Sequence, residues 1–203
     1  HPLIAKHAPL LAAAAPYVAH PAIRNRGTIG GSVALADPAS EFPAMMLAIR
    51  AELEVVGPEG VRRMAADDFF QDLYETAMAP GEILRSILVP PLIEGTVFAF
   101  DELARRRGDY ALVGAGLQLV IKEGVVMAAD IALFSVGHTP TRARNAQAAM
   151  MGKQLDTDAI AAAQSALSDD LDLSDEPQMP ASMKLHLARV LVGRLLGKLG
   201  ELT

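Results

Sequence analysis

The 203-residue chain has no cysteine. It therefore forms no disulfide and offers no thiolate to an iron–sulfur cluster. Positive charge is also in deficit. Eighteen Lys and Arg against twenty-four Asp and Glu leave a net charge of −6, which argues against nucleic acid or an anionic membrane surface as a partner. No apolar run approaches the ~20 residues that a membrane helix needs. The start, His1-Pro2-Leu3-Ile4-Ala5-Lys6, lacks the charged-then-apolar order of a secretion signal, so a cytoplasmic protein is expected. The five histidines (His1, His7, His20, His138, His186) include no pair at helical ligand spacing, and no metal site is expected. No internal repeat is visible. What the chain does have is 51% hydrophobic residues, enough for the cores of one or two small domains.

Its most distinctive stretch is Arg24-Asn25-Arg26-Gly27-Thr28-Ile29-Gly30-Gly31-Ser32. Gly30-Gly31 permits positive φ and close approach to bare backbone amides. Thr28 and Ser32 add hydroxyls at the rim. This is the chemistry of a phosphate cradle, although a plain glycine turn has the same composition. No Lys-Ser/Thr follows the glycines, so it is not a Walker loop, and the spacing is not G-x-G-x-x-G. Arg24 and Arg26 either add positive potential or are ordinary surface residues.

The stretch continues into Ala36-Asp37-Pro38-Ala39-Ser40-Glu41-Phe42-Pro43-Ala44, and a second block, Arg105-Arg106-Arg107-Gly108-Asp109-Tyr110-Ala111, lies further on. Together these resemble the flavin-binding motifs of the FAD-binding (medium) subunit of molybdenum hydroxylases, most closely the medium subunit of aerobic carbon monoxide dehydrogenases. The likeness runs over essentially the whole chain. It implies that Thr28, Ile29, Gly30, Gly31 and Ser32 cradle the FAD pyrophosphate with help from Arg24, that Glu41 bonds the ribityl hydroxyls with Asp37 as a rival, and that Tyr110 shields one flavin face. The plainer alternatives are a carboxylate opening a helix for Glu41, an Asp-Pro turn for Asp37 and a basic surface strip for the arginines. No residue is expected to act as a catalytic acid, base or nucleophile. The family also carries an Ala-Gly-Gly-x-Ser-like motif in an N-terminal subdomain. No such motif occurs here, and with no initiator Met the chain is expected to be a fragment holding part of the cradle.

The resemblance further implies an electron-transfer role: electrons pass from [2Fe–2S] clusters in a small partner subunit through FAD to a quinone or NAD, while a large molybdopterin-binding subunit carries the hydroxylation. A heterotrimer follows. A non-catalytic docking module and a stand-alone flavin oxidoreductase are the alternatives.

The fold class expected is α+β. Residues 1–91 would form the second half of a vanillyl-alcohol-oxidase-type FAD domain, and residues 92–203 a three-stranded antiparallel sheet packed on helices, with the boundary at Pro90-Pro91. Along the chain, residues 3–15 read as a helix, and Pro16 and Pro21 bracket an extended approach to the glycines. A helix over 41–49 starts at a candidate N-cap, Ser40, and carries a core cluster at Met45-Met46-Leu47. A hairpin, 53–56 with 61–64, closes through a four-residue turn. Asp67-Asp68 opens a short helical turn as a solvated cap, and 82–89 is a strand. Strands over 96–105, 111–122 and 125–136 follow, the last two joined by Glu123-Gly124. Helices are expected over 141–151, 156–167 and 182–199, the last burying Met183, Leu187, Val190, Leu191 and Leu195. The acidic segment 169–180 reads as a solvated, mobile loop.

Overall fold

The computed structural model describes residues 1–106, 108–176 and 179–201. Arg107 of the second motif, and Pro177 and Gln178 of the acidic segment, lie outside the described residues. The N-terminal helix is divided in two, α1 (Pro2–His7) and α2 (Pro9–Ala14). Pro9 is the reason: it has no N–H and forces Ala8 out of the helical region, to φ −142° and ψ 58°. The expected extended approach contains a single helical turn, α3 (Pro21–Arg24), with Pro21 at its first position.

The glycine segment is not a positive-φ loop. Gly30 and Gly31 lie in the first turn of α4 (Ile29–Leu35) and neither has positive φ. Thr28 is the N-cap, its Oγ1 accepting from the Gly31 N–H at 3.0 Å. After α4 the chain turns at Ala36, whose φ of +54° is left-handed, and re-enters a helix at α5 (Glu41–Ala48). Ser40 occupies the N-cap position of α5 but makes no side-chain cap bond.

Three antiparallel sheets follow among the described residues. The first has the order β2-β1-β5, formed by β1 (Glu52–Gly57), β2 (Gly60–Ala65) and β5 (Ile83–Leu88). Because Gly57 pairs with Gly60, the hairpin turn has two residues, Pro58 and Glu59, rather than four. A 3-10 turn at Ala66–Asp68 leads into a small pair, β3 (Phe70–Asp72) and β4 (Glu75–Thr76), that periodicity did not suggest. The large sheet runs β6 (Thr96–Ala104), β7 (Ala111–Lys122), β8 (Val125–Phe134) and a two-residue edge strand, β9 (Thr141–Arg142). Glu123 and Gly124 both have positive φ, at 52° and 76°, which is what a two-residue hairpin turn demands. Among the described residues no parallel ladder joins the sheets.

The large sheet is the middle layer. One face packs against α6 (Arg144–Met150), α7 (Thr157–Asp170) and α8 (Ala181–Gly200). α8 buries Lys184, Ala188, Leu191, Val192, Leu195, Leu196 and Leu199, while Met183 and Val190 point to water. Its apolar stripe is thus rotated from the expected one. The other face receives α2 and α5 in a core that mixes both halves of the chain, with Leu10, Met45, Met46 and Leu53 against Phe100, Ala132 and Phe134. Two glycines on β7 permit that approach: a Cβ at Gly114 would lie 1.9 Å from the Phe134 ring, and one at Gly116 would lie 2.4 Å from Met45. The acidic segment is anchored: Asp170 accepts from the Asn145 and Ala146 N–H groups at the start of α6, Leu171 is buried, and Glu176 pairs with Lys184.

A candidate flavin cleft between the two halves

The fold creates a cleft of about 700 Å³ whose walls come from distant parts of the chain. Of the residues expected in the site, Arg24, Thr28, Ile29, Gly31, Ser32, Asp37, Glu41 and Tyr110 all line it, and Gly30 does not. One wall is α4 and its approach, a second is the turn into α5, and the third is the Gly108–Tyr110 segment between β6 and β7. Sequence reasoning did not anticipate the apolar part of the lining, Val18, Ile23, Leu35 and Phe42 among them. Isolated apolar residues carry no signal of which cavity they will face.

The polar groups of the cleft divide by chemistry. At the start of α4 the Thr28 hydroxyl takes the Gly31 N–H, and Ser32 N–H bonds the Thr28 carbonyl at 3.0 Å. The N–H groups of Ile29 and Gly30 have no acceptor in the first turn. A Cβ at Gly30 would meet nothing within 4 Å, whereas one at Gly31 would press on Thr28 Oγ1 at 3.0 Å. Arg24 is committed elsewhere: its Nη1 donates to the carbonyls of Val18 (2.8 Å) and Ala19 (2.5 Å). It holds the shape of the approach and offers little to an anion. Arg26, exposed on the rim, makes no such bonds.

Facing these donors are acceptors. Asp37 is buried, with Oδ1 accepting from the Ala39 N–H at 2.9 Å and Oδ2 from the Tyr110 hydroxyl at 3.1 Å. It both makes the Asp-Pro turn and lines the cleft. Glu41 is also buried. Burial lifts its pKa above the ordinary carboxylate value; its own backbone N–H works against this and the Asp37 charge adds to it. Tyr110 is 70% exposed, and the neighbouring Asp37 charge holds its phenol above the usual value. It lines a second, smaller cleft of about 490 Å³ as well, with Arg105, Glu176 and Met179, so one ring serves two openings. Among the described residues no group of His, Cys, Asp and Glu forms a metal cluster, and no helix is long and apolar enough to cross a membrane.

The Ile29 amide and the hydroxyls on one wall, buried carboxylates on another and apolar lining residues suit a molecule that carries an anion, a polyol and a flat ring system. FAD has all three, and the residues present fit it.

The comparisons with known proteins agree. Residues 1–92 match the FAD binding domain in molybdopterin dehydrogenase, and residues 98–199 match the CO dehydrogenase flavoprotein C-terminal domain. The chain belongs to this family, the FAD-binding medium subunits of molybdenum hydroxylases. It is 35% identical over 191 residues to the carbon monoxide dehydrogenase medium chain of Afipia carboxidovorans, a match that covers 94% of this chain and 66% of that one. It is 33% identical to the nicotine 6-hydroxylase medium subunit of Paenarthrobacter nicotinovorans, covering 100% and 71%. Among solved structures, the carbon monoxide dehydrogenase from Hydrogenophaga pseudoflava superposes with a TM-score of 0.93 at 36% identity, over 97% of this chain and 69% of that one. Quinoline 2-oxidoreductase from Pseudomonas putida 86 gives 0.91 at 35%, over 98% and 70%. The chain thus spans about two thirds of the length of these relatives.

Proposed function

We propose that this chain is the greater part of an electron-transfer flavoprotein subunit. It would take electrons from iron–sulfur clusters in a small partner subunit and deliver them to a quinone or NAD, with a large molybdopterin-binding subunit carrying the hydroxylation. The observation that supports this best is the convergence of Thr28, Gly31, Asp37, Glu41 and Tyr110, from three separate segments, on one cleft. We place the division between the two domains at Pro90-Pro91, with the cleft walled by both.

FAD, when bound, supplies the electron chemistry. The chain's own residues bind and orient it. The Ile29 amide at the start of α4 and the hydroxyls of Thr28 and Ser32 would hold the pyrophosphate with fixed dipoles. Glu41 and Asp37 accept from hydroxyl groups. Tyr110, tethered to Asp37, sets the exposure of the ring system. No side chain has to act as acid, base or nucleophile.

The test is Gly31→Val in the full-length subunit. The branched side chain would intrude on Thr28 Oγ1 and on the amides beside it. Loss of one charge-assisted hydrogen bond lowers FAD affinity by ~1.5–3 kcal/mol. The purified variant should lack the yellow flavin spectrum while its circular dichroism stays near wild type. Full flavin occupancy would refute the cradle and leave a docking module as the better reading. Co-purification with iron–sulfur and molybdenum subunits separates the proposal from a stand-alone flavoprotein.

A further inference from the structure

Glu102 is an acid that the flavin reading does not use. It sits on β6, two residues after Phe100, so alternation turns both toward α2, α5 and the shared core. Phe100 confirms the direction: its ring stacks with Phe134 at 6.0 Å and meets Tyr17 edge-on at 5.0 Å. Across the ladders Glu102 pairs with Gly114, and Gly114 with Phe134. Ser135, next in the chain, donates its N–H to the Pro38 carbonyl at 2.8 Å, which brings this end of the sheet under the segment from Asp37 to Glu41. Two buried side-chain oxygens have no hydrogen-bond partner among the described residues: Glu102 Oε2 and Ser135 Oγ. Both belong to this end of the sheet.

A carboxylate with an oxygen buried and unpaired is costly as an anion and far less so as an acid. Burial, then the charges of Glu41 and Asp101, push Glu102 up to about 7. Arg24, the cation on the approach, is committed to the Val18 and Ala19 carbonyls, and Arg26 lies exposed on the rim. Glu41 and Asp37 lie on the facing segment. Asp101, beside it, is turned to α8, where Arg194 pairs with it at 2.7 Å. β7 presents glycine and apolar residues, and α2 has no ionisable group. The other charged or titratable groups lining the cleft are Arg24, Arg26, Asp109 and Tyr110, with Arg105 in the smaller cleft alongside; Tyr17 meets Phe100, and the His20 ring lies against Gly108.

We propose that Glu41 and Glu102 act as one charge-coupled carboxyl pair, so that FAD binding at the cleft takes up a proton at Glu102. This rests on the flavin reading. Hydroxyl groups donating to Glu41 would fix it as the anion, with its own N–H and the start of α5 in support. The proton that the pair retains then resides on Glu102, and covering the cleft removes what water remains to stabilise a second charge. Because the complex holds more protons than the free chain, affinity falls as pH rises through the neutral range.

The experiment is calorimetric titration of FAD into the full-length apo-subunit, in buffers of different ionisation enthalpy, which counts protons per flavin. Near pH 6, where Glu102 already holds its proton, uptake should be close to zero. Near pH 8 it should reach at least about 0.3 proton per flavin. Glu102→Gln, isosteric and neutral, should bind FAD with no uptake and with an affinity independent of pH. His20→Gln should keep the wild-type uptake. Binding of FAD by the wild type without proton uptake overturns the inference while leaving the flavin reading intact. So does uptake that survives in Glu102→Gln or disappears in His20→Gln. Failure to bind FAD at all defeats both.

Discussion

Tyr110 shows how two residues divide one task. Its ring is 70% exposed while its hydroxyl is fixed to Asp37, so the phenol is held at one end and free along its faces. Such a residue contributes little to the core. Tyr110→Ala should cost less than ~1.5 kcal/mol, well under the ~3–5 kcal/mol of a buried aromatic. In the full-length complex it should retain FAD yet change the rate of electron delivery, measured by stopped-flow absorbance. The Asp37 charge also sets the phenol's acidity. In an alkaline absorbance titration Tyr110 should ionise above the ordinary value of 10, and Asp37→Asn should bring it down. An unchanged titration in Asp37→Asn would show that the hydrogen bond is not made in solution.

Within the first sheet, ion pairs cross between strands. Glu54 on β1 accepts from Arg63 on β2 and from Ser86 and Arg85 on β5, and these bonds lower it from 4.5 to about 2. Glu82, bonded by Arg62 and the Ala79 N–H, falls to about 2 as well. A depressed folded-state value contributes stability that is present above the unfolded value and lost as pH falls through the folded one. Acid unfolding should therefore steepen below pH 4.5 and be complete only near pH 2, and Glu54→Gln should flatten that limb. How much was legible beforehand follows the range of each interaction. The β7–β8 hairpin could be read because Glu123-Gly124 is a local signal. The core cluster on α5 could be read because Met45, Met46 and Leu47 are adjacent and apolar. The break at Pro9 was legible in principle, since proline acts on its own neighbours. The helical conformation of Gly30-Gly31 was not, because glycine composition suits both a turn and a bare helix start. Nor was the partner of Asp67. It reads as a solvated cap, but Arg142, 75 residues away, bonds both its oxygens at 2.8 Å, and only the topology brings them together. The site motifs stood in the sequence, whereas their shared cleft depends on how the large sheet meets α5.

At the scale of the whole chain, Arg142 is the tie between the halves. Its side chain is 6% exposed and reaches Asp130 beneath it, Asp67 beyond the first sheet and the Leu47 carbonyl at the end of α5. Arg142→Met leaves Asp130 buried with only the exposed Arg50 as a partner, and should cost about 3–5 kcal/mol in urea denaturation. A loss below ~1 kcal/mol would mean that the tie is dispensable. The two bare glycines of β7 reach further than packing. Phe134 fills the space above Gly114, and Met45, from the other side of Pro90-Pro91, fills the space above Gly116. A chain cut between those prolines would yield two pieces, each with an unfinished interior. The halves that family comparison separates should therefore melt as one, in a single calorimetric transition. The boundary marked by the prolines would then be a punctuation mark in the sequence and not a joint in the protein.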